Sequence, residues 1–154
     1  METTIIATPI GTLMLRADDY VLIEVKHTDE RPSLRPTTHP ILRETVQQLN
    51  AYFMGERTTF ELPLRTQGTA FEQSVYEVLC AIPCGETLSY KDVARRLNRP
   101  KAARAVGQAC GKNTLLLVVP CHRVIASDGG LGGFALPLEI KAALLGMEKK
   151  YRSS

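Results

Sequence analysis

The first 26 residues carry the hydrophobic pattern of short β-strands. Thr and Ile alternate with other residues over 4–10, a glycine interrupts the run, and apolar residues resume at 13–15. A turn-forming Ala-Asp-Asp segment then precedes the β-branched run at 21–25. Three short strands joined by tight turns predict an antiparallel meander.

The pattern changes to a helical period after residue 40. Residues 27–40 contain three prolines and predict a loop. The helix after this loop is expected to end at Gly55. Residues 56–66 predict a short strand and a linker. The apolar residues of this helix fall on one face: Leu42, Val46, Leu49 and Phe53.

The second half of the chain begins with a pair of capped helices. Thr69 with Glu72, and Ser89 with Asp92, have the three-residue spacing of a capping box. Residues 98–100 form a turn, and a third helix is expected over 100–110. Helix, short turn and helix with basic residues around them predict a helix-turn-helix.

The remaining segments complete an α/β (α+β) fold. Residues 114–119 are an apolar run that predicts a buried strand, and a last helix is expected from Pro137 to about Lys149. We therefore expect two domains. Residues 1–66 form a small N-terminal domain of three antiparallel strands and a helix, and residues 67–154 form a mostly helical C-terminal domain.

Composition places the chain among ordinary globular proteins. It has 154 residues, of which 44% are hydrophobic and 23% charged, and these values exclude disorder and fibrous repeats. No apolar run is long enough to span a membrane, and the N-terminus lacks the features of a signal peptide. We expect no membrane association, a cytoplasmic location (nucleoid-associated in a bacterium) and four free thiols.

The net charge of +3 is unevenly distributed. Residues 1–66 have a net charge of −2, and residues 67–154 have a net charge of +5. Between Lys91 and Arg123 there are eight basic residues against one acid. Such a segment is either a phosphate-binding face or a solvated helical surface, and charge alone does not separate the two.

Cys121 stands out among the four cysteines. It follows an apolar run and a proline, and His122 and Arg123 come directly after it. Cationic neighbours can stabilise a thiolate, so Cys121 is a candidate nucleophile. Cys80 is expected to be a small buried hydrophobe, as are Cys84 and Cys110. The cysteine spacings do not match a zinc site, so we expect no metal.

The segment around Cys121 resembles a known family. PCHRV at 120–124 is similar to the active-site motif of the O6-alkylguanine-DNA alkyltransferases, also called methylated-DNA–protein-cysteine methyltransferases. Further similarities occur in order: FEQSVY at 71–76, IPCGET at 82–87, SY at 89–90, AARAVG at 102–107, Asn113, Lys141 and Glu148. The resemblance covers most of 69–149 and implies repair of double-stranded DNA containing O6-alkylguanine, with O4-alkylthymine as a further substrate, by a monomer without a cofactor.

The resemblance also implies how the chain would hold DNA. The helix-turn-helix of the family docks in the minor groove, where the small Ala102 and Ala103 allow close approach. Arg104 matches the arginine that fills the stack after the damaged base is flipped out. Tyr90 matches a tyrosine that promotes flipping and protonates the leaving guanine. Two further DNA contacts are expected at Arg99 and Lys101.

The chemistry implied by the resemblance is a single, irreversible transfer. Cys121 accepts the alkyl group after His122 takes the thiol proton through a water, and Glu148 orients His122. Asn113 braces the turns of the site, and Arg123 supports it. Because the product is a thioether, each molecule reacts once.

The substrate pocket departs from the family pattern. Phe134 stands where many relatives have a tyrosine, and Ala135 stands where some have a serine. Val124 is expected to line the same pocket. These differences affect the range of alkyl groups rather than the reaction.

Three alternatives remain open from the sequence. A non-catalytic alkyltransferase-like protein would bind the lesion without repairing it, but such proteins have Trp in place of the cysteine, and this chain has no Trp. A cysteine hydrolase would turn over repeatedly. A simple helix-turn-helix regulator would bind DNA without using Cys121.

Overall fold

The alternating segments at the N-terminus form a three-stranded antiparallel sheet in the computed structural model, which describes residues 1–130 and 137–153. The strands β1 (Glu2–Thr8), β2 (Gly11–Ala17) and β3 (Leu22–His27) pair in the order β1-β2-β3. Gly11 closes the first hairpin with φ +109°, where a Cβ would collide with the His27 ring. The predicted meander is confirmed.

The helix α1 (Pro40–Phe53) packs against β1 and β2, but its buried stripe differs from the predicted one. Thr45 and Gln48 are buried, whereas Val46 and Phe53 are partly exposed. Both buried polar side chains have hydrogen-bond partners. The Thr45 hydroxyl donates to the Ile41 carbonyl, and the Gln48 amide bonds both backbone groups of Glu61. Satisfied polar groups can therefore occupy helix positions that hydrophobicity alone assigns to the surface.

Two expected strands do not form. Leu64 and Leu115 each make one isolated parallel bridge to β3, with Leu22 and Val25 respectively. The apolar run at 115–120 is buried but does not continue as a strand, because Leu117 has a left-handed φ of +71° that turns the chain. Each segment contributes a single bridge at β3 rather than a full strand.

Unit 1 of the chain comprises Met1–Arg65 together with Thr114–Leu116. Unit 2 comprises Thr66–Asn113 and the described chain from Leu117 onward. The bridge at Leu115 therefore belongs to unit 1, although the chain before Thr114 and after Leu116 belongs to unit 2. None of the helices formed by the described residues is both long and apolar enough to cross a membrane.

Unit 2 is built from four helices and one short strand pair among its described residues. Tyr76 lies within it and donates a 2.8 Å hydrogen bond to the Ala109 carbonyl, which ties the first of these helices to the third. The elements are α2 (Ala70–Cys80), β4 (Leu88–Ser89), α3 (Tyr90–Arg96), α4 (Ala103–Gly111), β5 (Val124–Ile125) and α5 (Leu138–Ser153), with β4 and β5 parallel.

Both predicted capping boxes are present. Thr69 caps α2 and Ser89 caps α3, each by reciprocal bonds with the acidic residue three positions later. A capping box satisfies two otherwise unpaired backbone donors, so each helix start is fixed locally by sequence.

The turn between α3 and α4 is fixed by a left-handed residue. Asn98 has φ +59°, and the amide of Arg99 donates to the Ala94 carbonyl while that of Asn98 donates to Arg95. This bond pattern is a Schellman motif, and Asn tolerates its left-handed position better than most residues. The helix α4 begins at Ala103 rather than at Pro100, because residues 99–102 form a separate turn.

Candidate active site

Cys121 begins a short 3-10 turn, Cys121–Arg123, after the buried run at 115–120. Its side chain is 2% exposed. Asn113 donates from Nδ2 both to the Val119 carbonyl at 2.9 Å and to Cys121 Sγ at 3.3 Å. The asparagine thus fixes the chain before the turn and also contacts the thiol.

His122 and Arg123 share one carboxylate on α5. Glu148 Oε2 lies 2.7 Å from His122 Nε2 and 3.0 Å from Arg123 Nη2, and Oε1 lies 2.8 Å from Arg123 Nε. Arg123 Nη1 also donates to the Ile82 carbonyl at 2.7 Å. His122 and Glu148 are fully buried. The structure therefore brings His122, Arg123 and Glu148 together across 25 residues of sequence.

This arrangement determines which nitrogen of His122 is the base. Burial by itself raises the pKa of Glu148, but hydrogen bonds from His122 and Arg123 outweigh burial and hold that pKa below its usual range. A carboxylate that remains ionised can only accept a hydrogen bond, so Nε2 of the neutral imidazole carries the proton and donates it to Glu148 in a hydrogen bond. The lone pair is then on Nδ1, which is buried and has no hydrogen-bond partner among the described residues.

Burial keeps the Cys121 thiol and the His122 imidazole neutral at rest. Burial raises the pKa of the Cys121 thiol, although the Asn113 bond and the charge of Lys141 oppose it. Burial also lowers the pKa of His122, and the hydrogen bond to Glu148 opposes that shift. The thiol and imidazole are thus both uncharged at rest, and forming a thiolate requires transfer of a proton out of the thiol.

Lys141 is a buried cation that the sequence interpretation left without a role. Its ammonium group is fully buried, donates to the Val124 carbonyl at 2.7 Å and lies 5.9 Å from the centre of the Tyr90 ring. Burial lowers its pKa, while Cys121 and Cys110 oppose the shift. The burial of Lys141 could have been predicted from its spacing along α5. Lys141, Leu144 and Glu148 fall at i, i+3 and i+7 and therefore share the buried face of the helix.

The second helix of the helix-turn-helix presents a separate, open face. Arg104 is exposed, and Ala103 and Gly107 are small neighbours on the same helix. A cavity of about 500 Å³ opens here. Its lining residues are Tyr90, Lys91, Ala103, Arg104, Gly107, Gln108, Ala126 and Ser127.

The remaining predicted DNA-contacting residues also lie around this helix pair. Arg99 and Lys101 are exposed, and the Arg99 guanidinium lies 5.7 Å from the centre of the Phe71 ring. Ala102 is the N-cap residue of α4. The contacts of these residues with DNA stay predictions.

The predicted substrate pocket is only partly described. The side chain of Val124 is fully buried, and Phe134 and Ala135 lie outside the described residues. The expectation of buried cysteines is wrong for Cys80, which is exposed, and holds only in part for Cys84, which is half-buried; Cys110 is buried as expected. Val75 and Leu79 carry the buried face of α2, and Cys80 points off that face. Within residues 1–130 and 137–153, no three His, Cys, Asp or Glu side chains are arranged to hold a metal ion.

A buried cysteine followed by a histidine that bonds a buried glutamate, in a chain with a helix-turn-helix, is typical of a DNA-binding enzyme that uses a protein thiol. Comparison with known proteins gives the family. The profile described as "6-O-methylguanine DNA methyltransferase, DNA binding domain" matches residues 70–150, and the "ribonuclease-like domain" profile of the same methyltransferase matches residues 1–66.

Individual relatives agree with the profiles. The methylated-DNA–protein-cysteine methyltransferase of Methanosarcina mazei is 44% identical over 94% of this chain and 95% of its own length. The constitutive enzyme of Bacillus subtilis is 44% identical over 92% of each chain. The crystal structure of Mycobacterium tuberculosis OGT in complex with DNA matches with a TM-score of 0.89 at 40% identity, covering 98% of this chain and 94% of the other. The chain therefore belongs to the 6-O-methylguanine DNA methyltransferase family, whose members carry out direct-reversal repair of DNA.

Proposed function

We propose that the protein repairs double-stranded DNA by moving an alkyl group from O6 of guanine to Sγ of Cys121, with O4-alkylthymine as a further substrate. The observation that carries the proposal is the buried Cys121 thiol held by Asn113 next to the His122–Glu148 pair. The names of the relatives, which describe methylated DNA and a protein cysteine, agree with it.

The thiol must be activated because burial keeps it protonated. A thiolate is the competent nucleophile, and a nearby base supplies it. His122 Nδ1 is buried and has no hydrogen-bond partner in the part of the chain that the structure describes, and Glu148 stabilises the imidazolium that forms when Nδ1 gains a proton. We place one water between the thiol and Nδ1, which gives the order of groups found in a catalytic triad with a water inserted.

The transfer step is a single displacement at the alkyl carbon. A lone pair on Cys121 Sγ attacks the alkyl carbon, the bond from that carbon to O6 breaks, and its electron pair returns to the guanine ring. Tyr90 donates a proton to N3 of the leaving guanine, and the thiol proton resides on His122. The His122 proton then passes through solvent to the Tyr90 phenolate, and guanine exchanges its N3 proton for the usual proton on N1. The products are unmodified guanine and a thioether, and a thioether has no leaving group that would restore the thiol.

We propose that α4 makes the contact with DNA that exposes the damaged base. A base inside a duplex hides its O6 substituent, so the nucleotide must leave the stack before Cys121 can reach it. We propose that α4 enters the minor groove, where Ala102, Ala103 and Gly107 leave little bulk between the helix and the groove. Arg104 then fills the gap that the flipped nucleotide leaves.

Contacts to phosphates supply affinity without sequence preference. Arg99 and Lys101 are the proposed contacts, since both are exposed on the helix pair. A monomer is sufficient because one chain carries every proposed group. We propose a cytoplasmic location, the compartment that holds the chromosome in organisms such as those of the archaeal and bacterial relatives. A non-catalytic lesion-binding role is not favoured, because the chain has Cys121 together with the His122–Glu148 pair.

The test of this function measures O6-methylguanine and guanine in the DNA after the reaction. A duplex with one O6-methylguanine is incubated with the protein, digested to nucleosides and analysed by chromatography. We expect conversion of O6-methylguanine to guanine, with no strand break and no released base. Cys121→Ser should bind the duplex and leave the lesion unchanged. Release of a free base, or binding without conversion by the unaltered protein, would overturn the proposal.

A further inference from the structure

The exposed face of α4 carries a second polar side chain beside Arg104. Gln108 lies one helical turn after Arg104, both are exposed, and both line the 500 Å³ cavity that Tyr90 also lines. The Gln108 amide makes no hydrogen bond to any described residue. An amide has two donors and an acceptor, so this side chain presents unused hydrogen-bonding capacity at the DNA face.

Small residues near Gln108 allow this face of α4 to approach DNA closely. Ala103 and Gly107 lie on the same helix, and a Cβ at Gly107 would meet the Tyr90 ring at 3.7 Å. Gln108 thus shares the cavity with these two small residues as well as with the longer Tyr90, Lys91 and Arg104. In a groove contact, its amide side chain extends further from the helix than Ala103 or Gly107 does.

Distance along the helix relates Gln108 to the lesion. Four residues of α-helix rise about 6 Å, and stacked base pairs are spaced by about 3.4 Å. If Arg104 occupies the position of the flipped nucleotide, Gln108 lies within about two base-pair steps of it. The side chain is therefore in range of a pair flanking the lesion.

We propose that Gln108 reads the base pair flanking the lesion through the minor groove and so gives the enzyme a sequence-context preference. This inference rests on the proposed function, because it takes α4 as the groove-bound helix. In the minor groove, G·C differs from A·T by the guanine N2 amine, which is the distinguishing donor. The Gln108 amide oxygen accepts from that amine, and its amide nitrogen donates to an O2 or N3 acceptor nearby.

The test compares duplexes that differ in one minor-groove group. Each contains O6-methylguanine flanked, on the 5′ or 3′ side, by G·C, by inosine·C or by A·T; inosine lacks the N2 amine and is otherwise guanine. Single-turnover repair is measured for the unaltered protein and for Gln108→Met, which keeps the length and removes hydrogen bonding. Gln47→Met, at another exposed helix position, is the matched control.

On one flank, we expect the unaltered protein and Gln47→Met to repair the G·C duplex about three- to tenfold faster than the inosine·C duplex, the range of one net hydrogen bond. Gln108→Met should lose this contribution, so its G·C to inosine·C rate ratio should fall about three- to tenfold below that of the unaltered protein. An equal ratio in Gln108→Met and the unaltered protein would overturn the inference. Affinities of a Cys121→Ser form for the same duplexes, with and without Gln108→Met, test the contact even if no transfer occurs, which separates this inference from the proposed reaction.

Discussion

Glu148 is the residue on which the chemistry of the site depends most. Its carboxylate is fully buried and bonds both His122 and Arg123, so its burial is offset by two charge-assisted contacts. Removing one partner of a buried ion pair leaves the other uncompensated, at a cost of about 3–5 kcal/mol. The same carboxylate fixes the tautomer of His122, which links the stability of the site to its reactivity.

Glu148→Gln should slow repair and move its pH dependence. Without the anion, the His122 imidazolium is less stable, so the histidine accepts the thiol proton less readily. The rate at neutral pH should fall about 100-fold, within the usual range for acid–base catalysis. Without an effective base, the thiolate must form by ionisation of the buried thiol itself, whose pKa burial raises, so the midpoint of the pH–rate profile should move to higher pH. Single-turnover repair measured across pH checks this prediction.

Glu139→Gln is the matched control, because Glu139 is an exposed acid on the same helix. Its pH–rate profile should coincide with that of the unaltered protein. Thermal unfolding of both variants identifies a temperature at which each is folded, and rates are compared there. A Glu148→Gln profile with a reduced rate but an unmoved midpoint would contradict the relay.

At the scale of elements, local sequence determines the starts of α2 and α3 and distant contacts determine the active-site segment. The capping boxes at Thr69 and Ser89 could be predicted because each lies within four consecutive residues. The run at 114–119 could not be predicted correctly, because an apolar stretch does not reveal a left-handed residue such as Leu117. Cys80 was misassigned for a related reason, since a one-position error around a helix moves a side chain from the core to the surface.

Substitution of Arg104 in α4 should slow the repair of duplex DNA but not the reaction with the isolated base. Arg104→Ala should reduce the rate of duplex repair by about 10- to 100-fold, because a few kcal/mol of unstacking is no longer offset. Reaction with free O6-methylguanine base should be unchanged, since the free base needs no flipping. Methyl transfer to the protein, measured for both substrates, tests this prediction.

Arg95→Ala controls for loss of positive charge on the helix-turn-helix. Arg95 is an exposed arginine of α3 whose guanidinium lies 3.5 Å from Asp92. Its variant should repair duplex DNA nearly as fast as the unaltered protein. Equal losses on duplex and free base for Arg104→Ala would exclude a role in flipping.

For the whole molecule, charge separates along the chain into a −2 segment at 1–66 and a +5 segment at 67–154. The positive segment contains the helix-turn-helix and Cys121. Sequence could identify this division and the family motif, because both are written in contiguous residues. It could not derive the bonds of His122 and Arg123 to Glu148 without the family resemblance, because 25 residues separate them and only folding brings them together.

The central claim is that Cys121 accepts the alkyl group once per molecule. Protein is incubated with a severalfold excess of O6-methylguanine duplex, and peptides are mapped by mass spectrometry over time. We predict a plateau at one methyl group per chain, all of it on the Cys121 peptide and none on the peptides of Cys80, Cys84 or Cys110. Continued repair beyond one equivalent, or a methyl group on another residue, would contradict the account.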